Sequence, residues 1–254
     1  FESYDKHTLL LALEFMPEII RKMKGNGLIL ALKFLPELGV ILRGGLPALV
    51  LLAEFTGGDE QRIYDTMKKL QEEIRGKFDL KSRIAKNPAD AQKYWIIRRE
   101  SFNLLRKHVQ GKKSAPFIDD IIVLPAKLPE FLPRLENVLA NYRGLVYTIA
   151  GHAGDGNFHI IPLMDLSDLA NHKIIVELSE KVYGLVTEFG GSITAEHNDG
   201  LIRTPFLEKM YGERVCRLFE KTKKIFDPQN IFNPRKKVWG DMRFTVNHIK
   251  TNND

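Results

Sequence analysis

The sequence predicts an α+β fold in which helices cover an antiparallel sheet. Short segments rich in β-branched and aromatic residues alternate with longer amphipathic segments along most of the chain. The chain has 254 residues, and 44% of them are hydrophobic, which is enough for a substantial core. No internal repeat or low-complexity tract interrupts the alternation. We therefore expect a globular domain with helical extensions at both ends.

Residues 1–45 are predicted to form a helical lead-in. Their apolar runs, such as Leu9–Leu13 and Leu28–Leu32, are interrupted by charged residues and prolines. No run reaches the ~20 apolar residues that a membrane span requires. We interpret the lead-in as a pair of amphipathic helices that packs on another domain. Peripheral attachment to a membrane surface is the alternative interpretation, because its leucines are exposed once that domain is removed.

Residues 46–200 are predicted to form the α+β domain itself. The predicted strands lie at 46–55, near Phe78, and at 120–124, 145–150, 158–162 and 192–196. The predicted helices cover 59–75, a segment that begins near Pro88 with Asn87 or Asp90 as its cap, 128–141 and 168–189. Residues 201–254 are expected to add a C-terminal helix, Glu208 to Phe226, and the segment that follows it.

A glycine-rich motif, GHAGDGNFH, lies between the strands predicted at 145–150 and 158–162. Its three glycines permit backbone angles that are closed to other residues, so we expect His152 and His159 to converge. Asp155 lies between two of the glycines, where an aspartate commonly caps a turn with its own side chain. The motif predicts a pair of metal-ligating imidazoles.

A second motif, GGSITAEHNDG at residues 190–200, repeats the order of glycine turn, short strand and ionisable residues. It supplies Glu196 and His197, a carboxylate and an imidazole. Imidazoles and carboxylates suit zinc or manganese, and three protein ligands leave coordination positions open for water or substrate. The two motifs together predict a catalytic rather than a structural metal site.

These motifs resemble the paired signatures in the C-terminal half of FAD-linked oxidases, in the vanillyl-alcohol-oxidase-like flavoprotein superfamily. A third segment, KIFDPQNIFNP at residues 224–234, resembles the closing motif of the same family. The related enzymes are D-lactate, glycolate and D-2-hydroxyglutarate dehydrogenases. The resemblance covers roughly residues 46–240 and implies a ferredoxin-like cap domain that binds the substrate.

The resemblance also implies a role for each motif residue. His152, His159 and Glu196 would ligate the metal, and His197 would accept the proton from the substrate's hydroxyl while hydride leaves C2 for the flavin. The implied substrate contacts are Arg98, which would clamp the carboxylate, and Asn157. Asn233 is the implied flavin contact, and Glu196 would serve the cofactor site through the metal.

The chain also departs from the family's pattern. Many relatives have Glu-His-Gly-Ile-Gly where this chain has EHNDG at 196–200, a variant that resembles the branch of larger dehydrogenases associated with iron–sulfur proteins. The resemblance leaves the electron acceptor open and makes an iron–sulfur protein one candidate. Arg235 follows Pro234 where glycine is common, and the second basic substrate residue of the hydroxyglutarate enzymes has no clear equivalent. Arg235 weakens the expectation of a glycine-dependent approach to the flavin, and the missing basic residue weakens the assignment of a dicarboxylate substrate.

The family holds its FAD mainly in an N-terminal domain, and no glycine-rich pyrophosphate motif of that kind occurs in this sequence. We therefore expect the FAD-binding domain to lie elsewhere in the same protein, and this chain alone to bind FAD weakly or not at all. Two other functions use the same residues. A flavin-independent metal hydrolase would activate water with the His-His-Glu set, and a non-catalytic binding domain would keep only the fold.

Charge and cysteine content indicate which partners and which cellular compartment to expect. The net charge is +6, but the basic residues clustered at 221–237 match no nucleic-acid-binding motif, so we predict no nucleic-acid partner. A positive field favours an anionic substrate such as a small 2-hydroxy acid. Cys216 is the single cysteine, which excludes an intrachain disulfide and favours a reducing, cytoplasmic location.

Overall fold

A computed structural model describes residues 1–14, 16, 45–78, 80–108 and 111–251. The contacts divide the chain into two compact units, Phe1–Phe102 and Asn103–Asp254. This division falls inside the region 46–200 that the sequence presents as one domain, and the predicted domain boundaries stay predictions. Most of the predicted helical lead-in lies outside the described residues.

The first unit contains a pair of antiparallel strands, β1 (Glu2–Asp5) and β2 (Leu49–Leu52). Their register runs from Glu2 opposite Leu52 to Asp5 opposite Leu49. Helix α1 (Lys6–Glu14) follows β1 directly, and the Asp5 carboxylate accepts a hydrogen bond from the backbone N–H of Thr8 at 2.9 Å. The prediction of helices alone before residue 46 is therefore wrong at β1, because a four-residue strand depends on a partner from a distant part of the chain.

Two long helices begin close to their predicted starts, each after a capping residue. Helix α2 (Glu60–Lys77) starts after Asp59, whose carboxylate accepts from the Arg62 N–H at 3.1 Å. Helix α3 (Pro88–His108) starts after Asn87, whose side chain accepts from the Asp90 N–H at 2.9 Å. The strand predicted near Phe78 is wrong, because the Phe78 N–H still bonds to the helical carbonyl of Ile74 and its side chain is 59% exposed.

The second unit contains an antiparallel sheet centred on one long strand. The strands are β3 (Lys113–Ser114), β4 (Ile121–Ile122), β5 (Val146–His152) and β6 (Asn157–Met164). Strand β6 pairs with β5 from Asn157 to Leu163 and with β3 and β4 on its other side. Strands β5 and β6 are each longer than predicted, so the glycine motif shortens to a tight turn between them.

Helices pack on this sheet. They are α4 (Leu128–Ala140), α5 (Leu169–Glu188), α6 (Gly200–Arg203), α7 (Leu207–Phe226) and α8 (Met242–Asn247), with 3-10 turns at Pro125–Lys127 and Thr204–Phe206. Helix α7 is interrupted at Gly212, which has φ 76°. The core residues include Phe131, Leu135 and Leu139, which repeat every four residues along one face of α4. The predicted α+β fold is confirmed.

The strand predicted at 192–196 is wrong. Ser192 alone forms a bridge, exchanging two backbone hydrogen bonds of 2.9 Å with Ile122. After Ser192 the chain leaves the sheet, because the N–H groups of residues 195–197 bond to the buried Asp120 carboxylate instead of a neighbouring strand. In the part of the chain that the structure describes, every helix is too short or too polar to cross a lipid bilayer.

Candidate metal centre

His152 and His159 share one face of the β5–β6 pair. His159 lies opposite Ala150, and His152 lies two residues after Ala150 on the same strand. Residues that oppose each other, or that lie two apart, point to the same side of a sheet, so the strand register brings the two imidazoles together. Their ring centroids are 5.5 Å apart. Convergence was predicted correctly, but its cause is the strand register more than the glycine turn.

The turn at 153–156 sets this register. The Asp155 N–H donates to the His152 carbonyl at 2.9 Å, and Gly156 has φ 77°. A Cβ atom at Gly156 would lie 1.9 Å from the carbonyl oxygen of Val123, so only glycine fits there. The Asp155 side chain is exposed and belongs to none of the metal-binding groups described below. Its predicted role as a turn cap stays a prediction.

Glu196 completes the predicted ligand set. Its carboxylate lies beside both imidazoles, with Oε1 3.3 Å from His152 Nε2 and Oε2 3.7 Å from His159 Nε2. One ligand atom from each of the three residues lies within 4.8 Å of the others. Two imidazole nitrogens and a carboxylate oxygen at this spacing form a donor set that suits zinc or manganese. The described residues therefore fit the metal that the motifs predict.

Asp120, which the sequence analysis missed, fixes the loop that carries Glu196 and His197. Its fully buried carboxylate accepts hydrogen bonds from three successive backbone N–H groups, those of Ala195, Glu196 and His197, at 2.9–3.1 Å. Burial opposes ionisation, but these N–H groups more than offset it and lower the pKa of Asp120. The loop is therefore shaped by a buried charge.

Asp119, which the sequence analysis also missed, lies beside two of the imidazoles. Its Oδ1 is 3.0 Å from His159 Nδ1, and its Oδ2 is 3.2 Å from His197 Nδ1. The rings of His159 and His197 stack with centroids 5.1 Å apart. Burial lowers the pKa of His159, but the hydrogen bond and charge of Asp119 outweigh burial and raise it overall. The signal in the sequence was the acidic pair at the start of the strand predicted at 120–124.

Two further groups share these side chains, so the metal position is not unique on distance alone. Asp119, His159 and His197 form one group, and Asp120, Glu196 and His197 form the other. Asp120 already accepts several backbone hydrogen bonds, so its oxygens are largely used. A metal held by His152, His159 and Glu196 would leave the hydrogen bonds between Asp120 and the loop unbroken. It would also leave the contacts of Asp119 with His159 and His197 in place.

Arg203 joins the two segments that carry these carboxylates. Its buried guanidinium donates to the carbonyl oxygen of Asp119 at 2.7 Å and to that of Asn198 at 2.8 Å. Asp199, which is also buried, forms an ion pair with Lys237 of the C-terminal segment. These bonds connect the loop at 194–199 to the rest of the second unit.

The predicted substrate contacts have other partners in the structure. The buried side chain of Asn157 donates to the Asp120 carboxylate at 3.2 Å and to the Ile121 carbonyl at 3.1 Å. Arg98 lies in the first unit, where its guanidinium is 2.8 Å from the Glu2 carboxylate. Contact of either residue with a substrate stays a prediction from the resemblance.

The segment 227–239 contains the predicted flavin contact. Asp227 accepts hydrogen bonds from the N–H groups of Ile231 and Phe232, both at 2.9 Å, and forms an ion pair with Lys223. Asn233 has a left-handed backbone with φ 47°. The side chains of Ile231 and Phe232 are largely exposed. The role of Asn233 stays a prediction, and the segment presents apolar groups to its surroundings.

Comparison with known proteins identifies the class. Residues 10–237 match the family described as FAD linked oxidases, C-terminal domain. The chain belongs to this family, as its motifs indicate.

Individual relatives agree with this membership. The chain is 30% identical over 187 residues to a D-lactate dehydrogenase of Anaerostipes hadrus, a match that covers 73% of this chain and 38% of the relative. It is 27% identical over 191 residues to a D-2-hydroxyglutarate dehydrogenase of Escherichia coli, covering 73% of this chain and 19% of the relative. The chain thus spans less than half the length of these relatives.

A solved structure shares the fold. A 4-ethylphenol oxidase from Gulosibacter chungangensis, in complex with isoeugenol, superposes with a TM-score of 0.53 at 14% identity. The superposition covers 80% of this chain and 42% of the oxidase.

Proposed function

We propose that this chain is the substrate- and metal-binding part of an FAD-dependent 2-hydroxy acid dehydrogenase. The observation that carries the proposal is the convergence of His152, His159, Glu196 and His197, with the Glu196 and His197 side chains about half exposed. Family membership supplies the flavin, and the names of the relatives supply the class of substrate. D-lactate, glycolate and D-2-hydroxyglutarate are the candidate substrates.

In this proposal, His152, His159 and Glu196 hold a divalent ion, zinc or manganese. When bound, the ion supplies positive charge that favours loss of the proton from the substrate's hydroxyl. The three side chains reach the site from two strands and one loop, and the Asp120 hydrogen bonds keep that loop in place. A site supported in this way is preorganised, so little reorganisation is needed when substrate binds.

His197 is the proposed base. It follows Glu196 directly in the loop, and its imidazole is 47% exposed, so a substrate oxygen can reach it. Imidazole is the commonest general base in enzymes, and it takes the hydroxyl proton while the C2 hydrogen leaves as hydride. FAD, when bound, supplies the acceptor for that hydride. Removal of the proton and of the hydride together converts the hydroxy acid into a keto acid.

The proposal requires two protein partners. The first is an FAD-binding domain of the same protein, which holds most of the flavin. The second is an electron acceptor that reoxidises the flavin, and the variant motif at 196–200 favours an iron–sulfur protein. The exposed apolar side chains of 226–232 support contact with another protein surface, which we assign to the FAD-binding domain.

Elemental analysis of the purified chain after reconstitution with zinc or manganese tests the metal site. We expect about one ion per chain in the wild type and loss of the ion in His152→Ala and Glu196→Ala. His197→Ala should retain it, because the base is outside the proposed ligand set. Asp155→Asn is the matched control, since it removes a carboxylate three residues from His152 without touching the set.

The pattern of metal loss among the variants distinguishes the alternative ligand sets and the alternative functions. If His152→Ala retained the metal and His197→Ala lost it, the proposed ligand set would be contradicted. That result would favour the group Asp119, His159 and His197 as the ligands. A wild-type chain without metal would contradict the metal-assisted mechanism and favour a binding domain. In protein that also contains an FAD-binding domain, His197→Ala should lower turnover by about 10²- to 10⁴-fold. Turnover by the chain without any flavin would instead favour a hydrolase.

A further inference from the structure

One carboxylate contacts both of the stacked imidazoles in the site. Asp119 lies just before β4, and its side chain is only 8% exposed. Its two oxygens are divided between two partners, Oδ1 at 3.0 Å from His159 Nδ1 and Oδ2 at 3.2 Å from His197 Nδ1. One of these imidazoles is a proposed metal ligand and the other is the proposed base. Asp119 therefore connects the two functions of the site.

We propose that Asp119 is a positioning residue that fixes the tautomer of both imidazoles, with the proton on Nδ1 and the lone pair on Nε2. The inference rests on the proposed function for the roles of His159 and His197. An ionised carboxylate only accepts hydrogen bonds, so the nitrogen that faces it carries the proton. The opposite nitrogen of each ring is then free, in His159 to bind the metal and in His197 to accept the substrate proton.

The direction of the His159 ring agrees with this assignment. His159 Nε2 is the nitrogen that faces Glu196, at 3.7 Å from Oε2, while Nδ1 faces Asp119. A ligand imidazole whose second nitrogen donates to a carboxylate is held in one orientation and becomes more basic at the metal. The two nitrogens of His159 thus serve different partners on opposite sides of the ring.

Asp119 is itself held rigidly. Arg203 donates to its carbonyl oxygen at 2.7 Å, and the neighbouring Asp120 bonds to the backbone of His197 at 2.9 Å. Asp120 has φ 64°, a left-handed conformation that is uncommon outside glycine. Because the two aspartates are consecutive, one holds the loop backbone and the other holds the imidazoles carried by that loop and by β6. This arrangement holds the His159 ring by a hydrogen bond and places the His197 ring beside the same carboxylate before any ligand binds.

Substitution Asp119→Asn keeps the size of the side chain and changes the hydrogen-bond pattern. An amide can donate to Nδ1, which would favour the tautomer with its proton on Nε2 and block the nitrogen that binds zinc. We expect zinc affinity, measured by competition with a chromophoric chelator, to fall by about 10- to 100-fold. Asp155→Asn, which removes the same charge from a nearby exposed position, should bind zinc as tightly as the wild type. Equal affinity in Asp119→Asn and the wild type would overturn the proposal.

A second measurement needs no variant at the positioning residue. Long-range ¹⁵N–¹H correlation spectra of the zinc-free wild-type chain in mildly alkaline buffer report which ring nitrogen carries the proton, with His159→Gln and His197→Gln assigning the signals. We expect the Nδ1–H tautomer for both residues. The Nε2–H tautomer in either residue would overturn the assignment for that residue. This result stands even if Asp119→Asn does not fold.

The two experiments also separate this inference from the proposed function. A wild-type chain that binds no zinc but has both imidazoles in the Nδ1–H form would contradict the proposed metal site and support the role of Asp119. A wild-type chain that binds zinc, with Asp119→Asn unchanged in affinity, would support the metal site and contradict the role of Asp119.

Discussion

Around His159, the side chains that shape the site are buried, whereas along residues 226–232 large apolar side chains face solvent. Asp120 is completely buried, yet Phe226 is 80% exposed and Phe232 is 67% exposed. Both regions belong to the second unit, and both contain residues of the motifs that identify the family. They differ in where their partners come from.

The histidine region finds its partners within the second unit. Backbone N–H groups of 195–197 bond to Asp120, and the imidazoles contact Asp119 and Glu196. The segment after α7 satisfies its backbone through Asp227 but leaves its apolar side chains exposed. Contiguous exposed apolar groups usually mark a surface that another molecule covers. The chain therefore builds its imidazole cluster by itself, whereas its C-terminal segment leaves large apolar side chains exposed.

One ion pair joins the two regions. Lys237, ten residues after Asp227, pairs with the buried Asp199 that follows the Glu196–His197 loop. The backbone N–H of Lys237 also donates to the Thr204 hydroxyl at 2.8 Å. The end of the C-terminal segment is therefore fixed against the site, while its apolar residues remain open.

The largest loss in the free energy of unfolding is expected from a substitution within the histidine region. Gly156→Ala would force a Cβ atom against the Val123 carbonyl oxygen and strain a left-handed residue. We expect a loss of about 3–5 kcal/mol in the free energy of unfolding, measured by urea denaturation, together with loss of zinc binding. The register that aligns His152 with His159 depends on this turn.

Gly144→Ala is the matched control for that substitution. Gly144 also has a left-handed backbone, with φ 80°, but no atom lies within 4 Å of the position that an alanine Cβ would take there. It should cost about 1–2 kcal/mol, the strain alone, and leave zinc binding unchanged. Equal losses for the two variants would mean that the close approach at Gly156 does not matter.

An effect of intermediate size is expected at low pH, where the hydrogen bonds between Asp227 and the C-terminal segment are lost. The hydrogen bond from Lys223 and the N–H groups of Ile231 and Phe232 lower the pKa of Asp227 below its ordinary value of 3.8. A lowered pKa in the folded state means that the stabilisation is present above pH 3.8 and is lost as the pH falls through the folded-state pKa. The amide NMR signals of Ile231 and Phe232 should therefore titrate with a midpoint below 3.8.

Two variants check this titration. Asp227→Asn should abolish it, and Lys223→Met should move the midpoint back towards the ordinary value. Zinc binding should remain unchanged in both, because the segment is stabilised separately from the imidazoles. A loss of zinc in Asp227→Asn would contradict the separation of the two regions.

The weakest effect on stability is expected at the exposed surface. Phe232→Ser should change the free energy of unfolding of the isolated chain by no more than about 0.5 kcal/mol, because its ring is already in water. Phe131→Ala, in the fully buried core, should cost about 3–5 kcal/mol as the contrast. Phe232→Ser should nevertheless weaken binding to an FAD-binding domain, measured by calorimetry. Undiminished binding would contradict our assignment of this surface.

Much of the fold could be predicted because its signals are local. The caps at Asp59 and Asn87 and the four-residue repeat of α4 act within one or two turns of helix, and the helices begin where these signals occur. The strands predicted at Phe78 and at 192–196 were wrong, since a short apolar segment becomes a strand only if a neighbouring strand accepts its hydrogen bonds. The backbone N–H groups of 195–197 bond to Asp120 instead.

The order of residue types along the chain was enough to identify the family and the ligand chemistry of the two motifs. Glycine spacing, imidazoles and carboxylates are all visible in the sequence. Which atoms meet depends on the tertiary structure. Asp119 and Asp120 come from a segment more than 30 residues before His152, and no local pattern joins them to the imidazoles. Strand pairing between β4 and β6 brings them together, and a left-handed Asp120 directs the two neighbouring carboxylates to different partners. Contacts between distant segments depend on how the sheet pairs, which residue order alone does not specify.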